Sequence, residues 1–352
     1  MRRELHVEHL ADLFGIADLG ERLAAVDEKM GHALSQSETS FGPGTLQLAA
    51  TGGKRLRPLF VVACAAVGDV FDERVVAAAA AVELVQLGAL IHDDVLDDAA
   101  TRRGRPTINA LEGPSHAVLA GDYVLARAAE LAASVSREVA EVFASTVAKV
   151  CEGQVCELRD AYDLRRSVDA YLAAVRGKTA ALFASACQLG AQCGRLSPDS
   201  ARALARFGDA FGTSFQLLDD VLDLIGDPER IGKPTGSDIA SGVYTLPLLM
   251  ALQGPLGDEL RQLLAARTDG DRGERTADLG RIVELVLASG SIATTLATVD
   301  RYADTARRAV SHLDQTTVGT GLAAFPQTYS TWALETFMDP RFRELPVTAA
   351  GR

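Results

Sequence analysis

The sequence is short of the features that mark several classes of protein. Aromatic residues make up only 5% of its 352 residues, and its 35 basic side chains are outnumbered by 47 acidic ones, giving a formal net charge of −12. Binding to nucleic acid through phosphates needs a basic face, so this balance argues against a nucleic-acid partner. The five cysteines contain no CxxC pair, which argues against a disulfide framework and favours a reducing compartment.

Long apolar runs are also lacking. The longest, over residues 75–91, is interrupted by Glu83 and Gln86 and falls short of the ~20 residues that a membrane span requires. The first residues carry charge throughout and lack the apolar core of a signal peptide. We therefore expect an acidic, soluble, cytoplasmic protein without a membrane span.

Alanine, leucine and valine are abundant, with polar residues at every third or fourth position. This period predicts helices, and the alternating β-branched runs of strands are absent. The predicted helices span residues 73–96, 115–133, 136–160, 168–194, 198–225 and 281–310. The glycine-rich, polar segments predicted as loops are 104–115, 226–242 and 267–280. The expected fold class is all-α, in a single domain over residues 1–352 because no linker divides the chain.

A DDxxD motif occurs twice, each time near the C-terminal end of an apolar helix. The two motifs consist of Asp93, Asp94 and Asp97, and of Asp219, Asp220 and Asp223. Residues i and i+4 share a face of a helix, so each motif presents two carboxylates in one direction. Like charges at this spacing, at the negative end of the helix dipole, destabilise a helix and imply compensating cations.

The ligand chemistry of these motifs favours magnesium. Carboxylate oxygens without histidine or cysteine partners suit a hard cation, and Mg²⁺ keeps waters while it bridges to substrate phosphates. His92 precedes the first motif but points elsewhere on the helix, so we expect it to pack rather than to bind metal. Two facing acidic arrays predict a Mg²⁺ site for a diphosphate, which would leave as a carbon–oxygen bond ionises.

Basic residues are concentrated in four places around these aspartates. The first follows two glycines and precedes an apolar helix, which suits an anion-binding site. The four are GGKRLRP with Lys54, Arg55 and Arg57, TRRGRPT with Arg102 and Arg103, GKT with Lys178 and Thr179, and the loop residue Lys233. Together with the two DDxxD motifs, they predict a site for two diphosphates.

The order of these motifs resembles that of the trans-isoprenyl diphosphate synthases of the polyprenyl synthetase family. GGKRLRP, HDDVLDD, TRRGRPT, GDY, GKT, FQLLDD and GKPTGSDI followed by TLPLL succeed one another over about residues 40–340. The resemblance implies the isoprenoid synthase fold, an all-α bundle around a deep central cavity, usually as a homodimer. It also implies a Mg²⁺-dependent prenyltransferase that joins an allylic diphosphate to isopentenyl diphosphate head to tail.

The resemblance implies roles for individual residues. Those expected to hold Mg²⁺ on the allylic diphosphate are Asp93, Asp94, Asp97, Asp219, Asp220 and Asp223. Those expected to neutralise this diphosphate are Arg102, Lys178 and Lys233. Those expected to bind isopentenyl diphosphate are Lys54, Arg57 and Arg103. Thr179 and Gln216 would lie beside the developing carbocation.

Two positions depart from the family pattern. Gln86 stands where the family usually has a histidine that touches isopentenyl diphosphate, and Val243 stands where it commonly has a lysine. Glutamine can still donate a hydrogen bond, so we expect Gln86 to bind isopentenyl diphosphate, but more weakly than histidine does. Neither departure changes the aspartates, and we expect an active enzyme.

Product length in the family depends on the bulk beneath the allylic site. Gly88 and Ala89 lie one helical turn, ~5–6 Å, before Asp93, and Val85 lies in the next turn. These small residues predict an open passage and a product of C30 or longer. Two alternatives stay open: Gly88 and Ala89 only permit close helix packing, or Leu125 fills the lower tunnel and the product is geranylgeranyl diphosphate, C20.

Two other functions also stay open. A terpene cyclase binds diphosphate through Mg²⁺, but it usually steers carbocations with aromatic walls and lacks a second DDxxD motif. A regulatory subunit of a heteromeric prenyl synthase generally loses one aspartate motif, whereas this chain has both. Gln86 and Val243 keep the regulatory alternative open.

Overall fold

The computed structural model describes residues 6–35, 53–102, 104–232, 234–269 and 274–342. Helices dominate these residues, and the strands among them form one two-stranded hairpin. The prediction of an all-α fold is therefore confirmed.

The N-terminal half of the chain contributes nine helices and the hairpin among the described residues. They are α1 Val7–Phe14, α2 Leu19–Ser35, α3 Leu56–Ala66, α4 Glu73–Leu96, β1 Thr101–Arg102, β2 Arg105–Pro106, α5 Ile108–Glu112, α6 Pro114–Val135, α7 Arg137–Arg159, α8 Val168–Val175 and α9 Ala181–Cys193. A π-helix, Arg176–Ala180, joins α8 to α9.

The C-terminal half begins with the longest helix described. Its helices are α10 Pro198–Ile225, α11 Pro228–Ile231, α12 Ser237–Ala240, α13 Leu246–Leu252, α14 Gly257–Asp269, α15 Glu274–Ala288, α16 Ser291–Ala309 and α17 Thr317–Phe337. Short 3₁₀ turns, Ser311–Leu313 and Pro340–Phe342, flank α17.

The two helices that carry the aspartate motifs have the predicted bounds, and their start signals explain why. The Asp72 carboxylate accepts the first free backbone N–H groups of α4. Ser197 caps α10 in the same way, and Pro198 occupies its first turn. Both helices end within three residues of their aspartate motif, at Leu96 and Ile225. Each motif therefore lies at a helix C-terminus, as predicted.

Two helices predicted as continuous are interrupted. The helix over 168–194 contains the π-helix Arg176–Ala180, and the helix over 281–310 breaks between α15 and α16. At this break Gly290 has φ +77°, a left-handed conformation that ends a helix, and the two helices are bent by 63°.

The three predicted loops contain more helix than expected. Within 104–115, Thr107 caps the short helix α5, and within 226–242 the helices α11 and α12 form. The prediction of a long loop over 267–280 was wrong, because α14 continues to Asp269 and α15 begins at Glu274. Its arginine, glutamate and alanine residues have good helix propensity, which outweighed their charge.

Helix α4 lies in the centre of the molecule. By length and composition alone it could cross a membrane, and so could the bent α15–α16 pair, but 78% of the most apolar window of α4 is buried within the protein. Such burial is typical of the core helix of a bundle. Several of the few aromatic residues pack around Phe60 from other helices, and they are Phe183, Phe207, Phe211 and Phe325.

Candidate active site

The π-helix is the element that brings the predicted motifs together. It lies against α7 at Gly153, where an added Cβ would overlap the backbone nitrogen of Lys178. A Cβ on Gly177 would in turn lie 2.8 Å from Gly153 Cα, so both positions need glycine. Single π-helical turns are frequent at functional sites. Here the turn carries Lys178 and Thr179, and each of these neighbours reaches a different aspartate motif.

Lys178 lies among the carboxylates of the first motif. Its Nζ donates to Glu157 Oε1 at 2.6 Å and is 3.7 Å from Asp93 Oδ2. Burial raises the pKa of Asp93, Lys178 opposes this rise, and the charge of Asp97 adds to it. Burial alone would lower the pKa of Lys178, but Asp93 and Glu157 outweigh it and raise that pKa. Lys178 is therefore a fixed cation within an acidic site.

The second aspartate of the first motif turns into the protein. Asp94 is buried, with 1% of its surface exposed, and its Oδ1 accepts a hydrogen bond from Arg102 Nε at 2.7 Å. Arg102 lies in the β1–β2 hairpin, paired with Arg105. Among the described residues, Asp94 Oδ2 has no hydrogen-bond partner. Arg102 therefore neutralises an aspartate of the motif before any substrate binds.

Thr179 connects the π-helix to the second motif through a chain of hydrogen bonds. Its Oγ1 donates to Gln216 Oε1 at 2.8 Å, and Gln216 Nε2 donates to Asp220 Oδ1 at 2.9 Å. The Tyr171 hydroxyl donates a short hydrogen bond to the other oxygen, Asp220 Oδ2. Burial raises the pKa of Asp220 to about 7, although both hydrogen bonds act to lower it. Asp220, like Asp94, is turned inward.

The remaining aspartates of the second motif line a cavity of about 290 Å³. Asp219 is exposed there, whereas Asp223 is buried and its Oδ2 accepts the backbone N–H of Asp238 at 3.2 Å. Lys54 reaches the same cavity from the N-terminal side of α3. The polar segment after α10 thus folds back onto the second motif and brings Asp238 to it.

The basic residues of GGKRLRP divide into two groups. Lys54 Nζ donates to Tyr329 Oη at 3.0 Å and lies 4.9 Å from the ring centres of both Trp332 and Phe337, a cation–π arrangement. Arg57 lies over the ring of Phe183, at 4.6 Å.

Arg55 faces away from the aspartate motifs. Its guanidinium forms ion pairs with Asp27 Oδ1 at 2.9 Å and with Glu83 Oε1 at 3.0 Å. Arg55 therefore ties α2, α3 and α4 together, whereas Lys54 and Arg57 lie against aromatic side chains.

The predicted chain-length residues occupy different environments. Gly88 is buried, and an added Cβ would lie 2.9 Å from Leu125 Cγ and 3.3 Å from the Gly121 carbonyl oxygen. Gly88 therefore permits close packing of α4 on α6, which was the alternative interpretation. Ala89 is half-buried, and Val85 is buried one turn further along the same face as Asp93.

The other predicted residues are placed as follows. Gln86 is half-buried on α4, two turns before Asp93. His92 Nε2 lies 3.1 Å from the Val118 carbonyl oxygen and packs on Gly121, in agreement with a packing role. Arg103 and Lys233 lie outside the residues that the structure describes.

The sequence analysis missed three residues that contact the motifs: Glu157, Tyr171 and Asp238. Glu157 is four residues after Gly153 on α7 and therefore shares its face, which rests on the π-helix. Tyr171 lies two helical turns before Lys178. Glu157 and Tyr171 are polar side chains at helical spacing from Gly153 and Lys178, and this spacing could have identified them in the sequence.

The donors of the two motifs fit a hard divalent cation. All are carboxylate oxygens, and burial raises the pKa values of Asp93 and Asp97. In the described ranges, no three acidic, histidine or cysteine side chains converge into a complete metal site. Asp94 is held by Arg102, and Asp220 is held by Tyr171 and Gln216. This favours Asp93, Asp97 and Asp219 as ligands, together with Asp223, which is buried but lines the cavity beside Asp219.

Comparison with known proteins identifies the family of this chain. The sequence profile named Polyprenyl synthetase matches residues 45–285. The chain is 37% identical to heptaprenyl diphosphate synthase component 2 of Geobacillus stearothermophilus over 82% of this chain and 88% of that protein. It is 36% identical to the nonaprenyl diphosphate synthase of Mycobacterium tuberculosis over 90% and 93%, respectively.

A solved structure shares the fold. The polyprenyl synthase from Caulobacter crescentus, complexed with calcium and isoprenyl diphosphate, superposes with a TM-score of 0.82 and 33% identity over 94% of this chain and 99% of that one. This similarity confirms the isoprenoid synthase fold. The family match and the named relatives set aside the terpene cyclase alternative. The chain belongs to the polyprenyl synthetase family and is a polyprenyl diphosphate synthase, an enzyme that transfers prenyl groups.

Proposed function

We propose that this enzyme condenses an allylic prenyl diphosphate with isopentenyl diphosphate head to tail, depends on Mg²⁺, and extends its product to C30 or longer. The observation that carries the proposal is the π-helix, whose consecutive residues Lys178 and Thr179 join the two aspartate motifs into one site. The names of the heptaprenyl and nonaprenyl synthases support the long product.

The allylic diphosphate would lie between the two motifs. Asp93, Asp97, Asp219 and Asp223 would hold Mg²⁺, which when bound neutralises the charge of the leaving diphosphate. Lys178 is already held at 3.7 Å from Asp93 and would contact the diphosphate directly. Arg102 and Lys233 would add positive charge around the same group. Thr179 and Gln216 would offer neutral dipoles to the allylic cation, which stabilise it without forming a bond.

The isopentenyl diphosphate would lie on the other side of the site. Lys54, Arg57, Arg103 and Gln86 would bind its diphosphate and direct its double bond at the allylic carbon. The new carbon–carbon bond forms as the double bond attacks, and loss of a proton restores a double bond. In this proposal the departed allylic diphosphate accepts that proton.

Turnover by the purified chain alone tests this function. We expect elongation of farnesyl diphosphate by isopentenyl diphosphate in the presence of Mg²⁺, and no product after chelation with EDTA. One relative is named as component 2 of its enzyme, so absence of product from every allylic primer would favour the alternative of a subunit that needs a partner. Product that appears only on addition of a second protein would establish that alternative.

Replacing Ala89 by phenylalanine is expected to shorten the product. Ala89 precedes Asp93 by one turn of α4 and is half-buried, so a ring there would close the passage ~6 Å below the allylic site. Mass spectrometry of the products from farnesyl diphosphate measures the change, and we expect C20 or C25 in place of C30 or longer.

Leu125→Ala is the matched variant for the same measurement. Leu125 packs against Gly88 where α4 meets α6, so its truncation removes bulk without adding any to the passage and should leave the product at least as long. An unchanged product length in Ala89→Phe would show that α4 does not limit the depth of the passage beneath the allylic site. A wild-type product of C20 would instead support the geranylgeranyl alternative.

Mg²⁺ is expected to stabilise the protein more at about pH 8 than at about pH 4, which is close to the ordinary pKa of an aspartate. Burial raises the pKa values of Asp93 and Asp97 above 3.8, so the metal-free protein gains stability from them at low pH and loses it as pH rises through the raised values. Mg²⁺ binds the ionised carboxylates, so its stabilising effect grows over this interval.

The shift in Tm on adding MgCl₂, measured by thermal unfolding at each pH, tests this expectation. Asp93→Asn should remove most of the difference between the two pH values. Asp98→Asn is the control, because Asp98 is exposed beside the motif. An equal Tm shift at both pH values would contradict a carboxylate metal site.

We also propose that the enzyme is a homodimer through α6 and α7. Large apolar side chains are exposed on these neighbouring helices and on the adjacent α5, and they are Leu111, Val118, Leu119, Val155 and Leu158, at 42–62% exposure. Contiguous exposed apolar residues mark an interface in soluble proteins. A second copy would cover them.

Leu119→Glu combined with Val155→Glu is expected to convert the dimer to a monomer in light scattering coupled to gel filtration. Val7→Glu is the control, since Val7 is 40% exposed but lies on α1. Wild-type protein that is already monomeric, or a double variant that stays dimeric, would contradict this interface.

A further inference from the structure

Tyr171 is a buried polar residue that the proposed mechanism does not use. It lies in α8, with 2% of its surface exposed. Its hydroxyl donates a short hydrogen bond to Asp220 Oδ2. A buried phenol directed at a buried carboxylate is costly to desolvate, so the pair calls for an explanation beyond filling space.

Both oxygens of Asp220 are engaged by donors from the protein. Oδ2 accepts from Tyr171, and Oδ1 accepts from Gln216 Nε2 at 2.9 Å. Asp220 is only 3% exposed, whereas its neighbour Asp219 is exposed at the cavity. Asp220 is therefore directed at Tyr171 and Gln216 and not into the cavity that Asp219 and Asp223 line.

This arrangement fixes the orientation of the Gln216 amide. Ionised Asp220 only accepts hydrogen bonds, and the NH₂ group of Gln216 faces it. The amide oxygen then faces Thr179, whose hydroxyl donates to it at 2.8 Å. With its proton committed to Gln216, Thr179 Oγ1 can present only lone pairs to any further neighbour. Lone pairs are the part of a hydroxyl that stabilises a carbocation.

The far side of Tyr171 is held in place as well. The guanidinium of Arg166 lies 5.3 Å from the centre of the Tyr171 ring, and Arg166 Nη1 donates to the Tyr244 carbonyl oxygen at 3.0 Å. Arg166 is buried and lies 3.6 Å from Asp160. The Tyr171 ring is thus fixed between Arg166 and Asp220, and it has little freedom to leave the carboxylate.

We propose that Tyr171 is a positioning residue of the prenyl transfer: it holds Asp220 inward, and Asp220 in turn sets the dipoles of Gln216 and Thr179 for the allylic cation. This inference deepens the proposed function and rests on it. It assigns Asp220 to the orientation of these two side chains in place of metal binding.

Tyr171→Phe tests the proposal because it removes only the hydroxyl. We expect kcat to fall about ten-fold or more, while KM for isopentenyl diphosphate and Tm stay close to wild type. Tyr302→Phe is the matched control, since the Tyr302 hydroxyl bonds Arg176 of the same π-helix away from the aspartates. A purely structural role would lower Tm and leave kcat unchanged.

Asp220→Asn supplies a second test that does not depend on the folding of the tyrosine variant. We expect kcat to fall in this variant too. In the double variant, Tyr171→Phe should add little further loss of kcat, because both changes disrupt the same chain of hydrogen bonds. Additive losses would overturn the proposal.

Calorimetric titration with Mn²⁺ in the presence of inorganic pyrophosphate provides a readout independent of turnover. We expect near wild-type affinity in Tyr171→Phe and Asp220→Asn, and weak binding in Asp219→Asn. Equal weakening by Asp219→Asn and Asp220→Asn would make Asp220 a metal ligand and overturn the inference. A normal kcat in Tyr171→Phe would overturn the inference about Tyr171 and leave the proposed function intact. A wild-type chain without activity would refute the proposed function, and the Mn²⁺ titration would still test the inference.

Discussion

Replacing Asp93 by asparagine is expected to lower kcat/KM by about 10²–10³-fold or more, the scale seen when one electrostatic contact to a developing charge is removed. The substitution keeps the shape of the side chain but removes its charge. Asp93 is the carboxylate of the first motif that lies nearest Lys178, at 3.7 Å. Its loss would weaken Mg²⁺ binding and would also leave Lys178 paired with Glu157 alone.

Asp98→Asn is the control for this variant. Asp98 directly follows the motif, is exposed, and has φ +48°, a conformation that asparagine adopts readily. We expect its kcat/KM to stay within about two-fold of wild type in the same steady-state assay. Comparable losses in both variants would indicate a general effect of acidic charge, and normal activity of Asp93→Asn would remove the first motif from the catalytic site.

Replacing Gly153 by alanine is expected to cause the second large loss. The added Cβ would overlap the backbone nitrogen of Lys178, so the π-helix must move away from α7. Because a misplacement of 1 Å in an active site can cost about 10²-fold in rate, we expect a loss of this order in kcat/KM. Overpacking of this kind also costs about 1–3 kcal/mol of stability.

Gly31→Ala separates this displacement from the ordinary effect of the substitution. Gly31 lies in the interior of α2, and nothing lies within 4 Å of a Cβ added there. We expect this variant to keep full activity and to gain up to about 1 kcal/mol in the free energy of unfolding, because alanine is the better helix former. Full activity in Gly153→Ala would show that catalysis does not depend on the position of the π-helix against α7.

The helices that carry the aspartates could be predicted residue by residue because their signals are local. Asp72 and Ser197 are capping residues that precede apolar periodic segments, and they set where α4 and α10 begin. The π-helix could not be predicted in this way. It depends on the close approach of Gly153 and Gly177, which belong to different helices and meet only in the folded chain.

The same distinction applies to the site. Spacing alone identified the six aspartates, and the resemblance supplied their expected roles. Spacing could not show that Asp94 and Asp220 turn inward, because that orientation depends on Arg102, Tyr171 and Gln216, which come from other parts of the chain. Likewise, the environment of Gly88 is decided by Leu125 on a neighbouring helix.

The central claim is that both aspartate motifs act on one diphosphate. A crystal structure of the wild-type enzyme with Mn²⁺ and inorganic pyrophosphate, with the metal located by its anomalous scattering, tests it most directly. The account predicts Mn²⁺ at Asp93 and Asp97 and also at Asp219, with one pyrophosphate bridging the two motifs within reach of Lys178. Metal at only one motif, or a pyrophosphate that contacts only one of them, would contradict it.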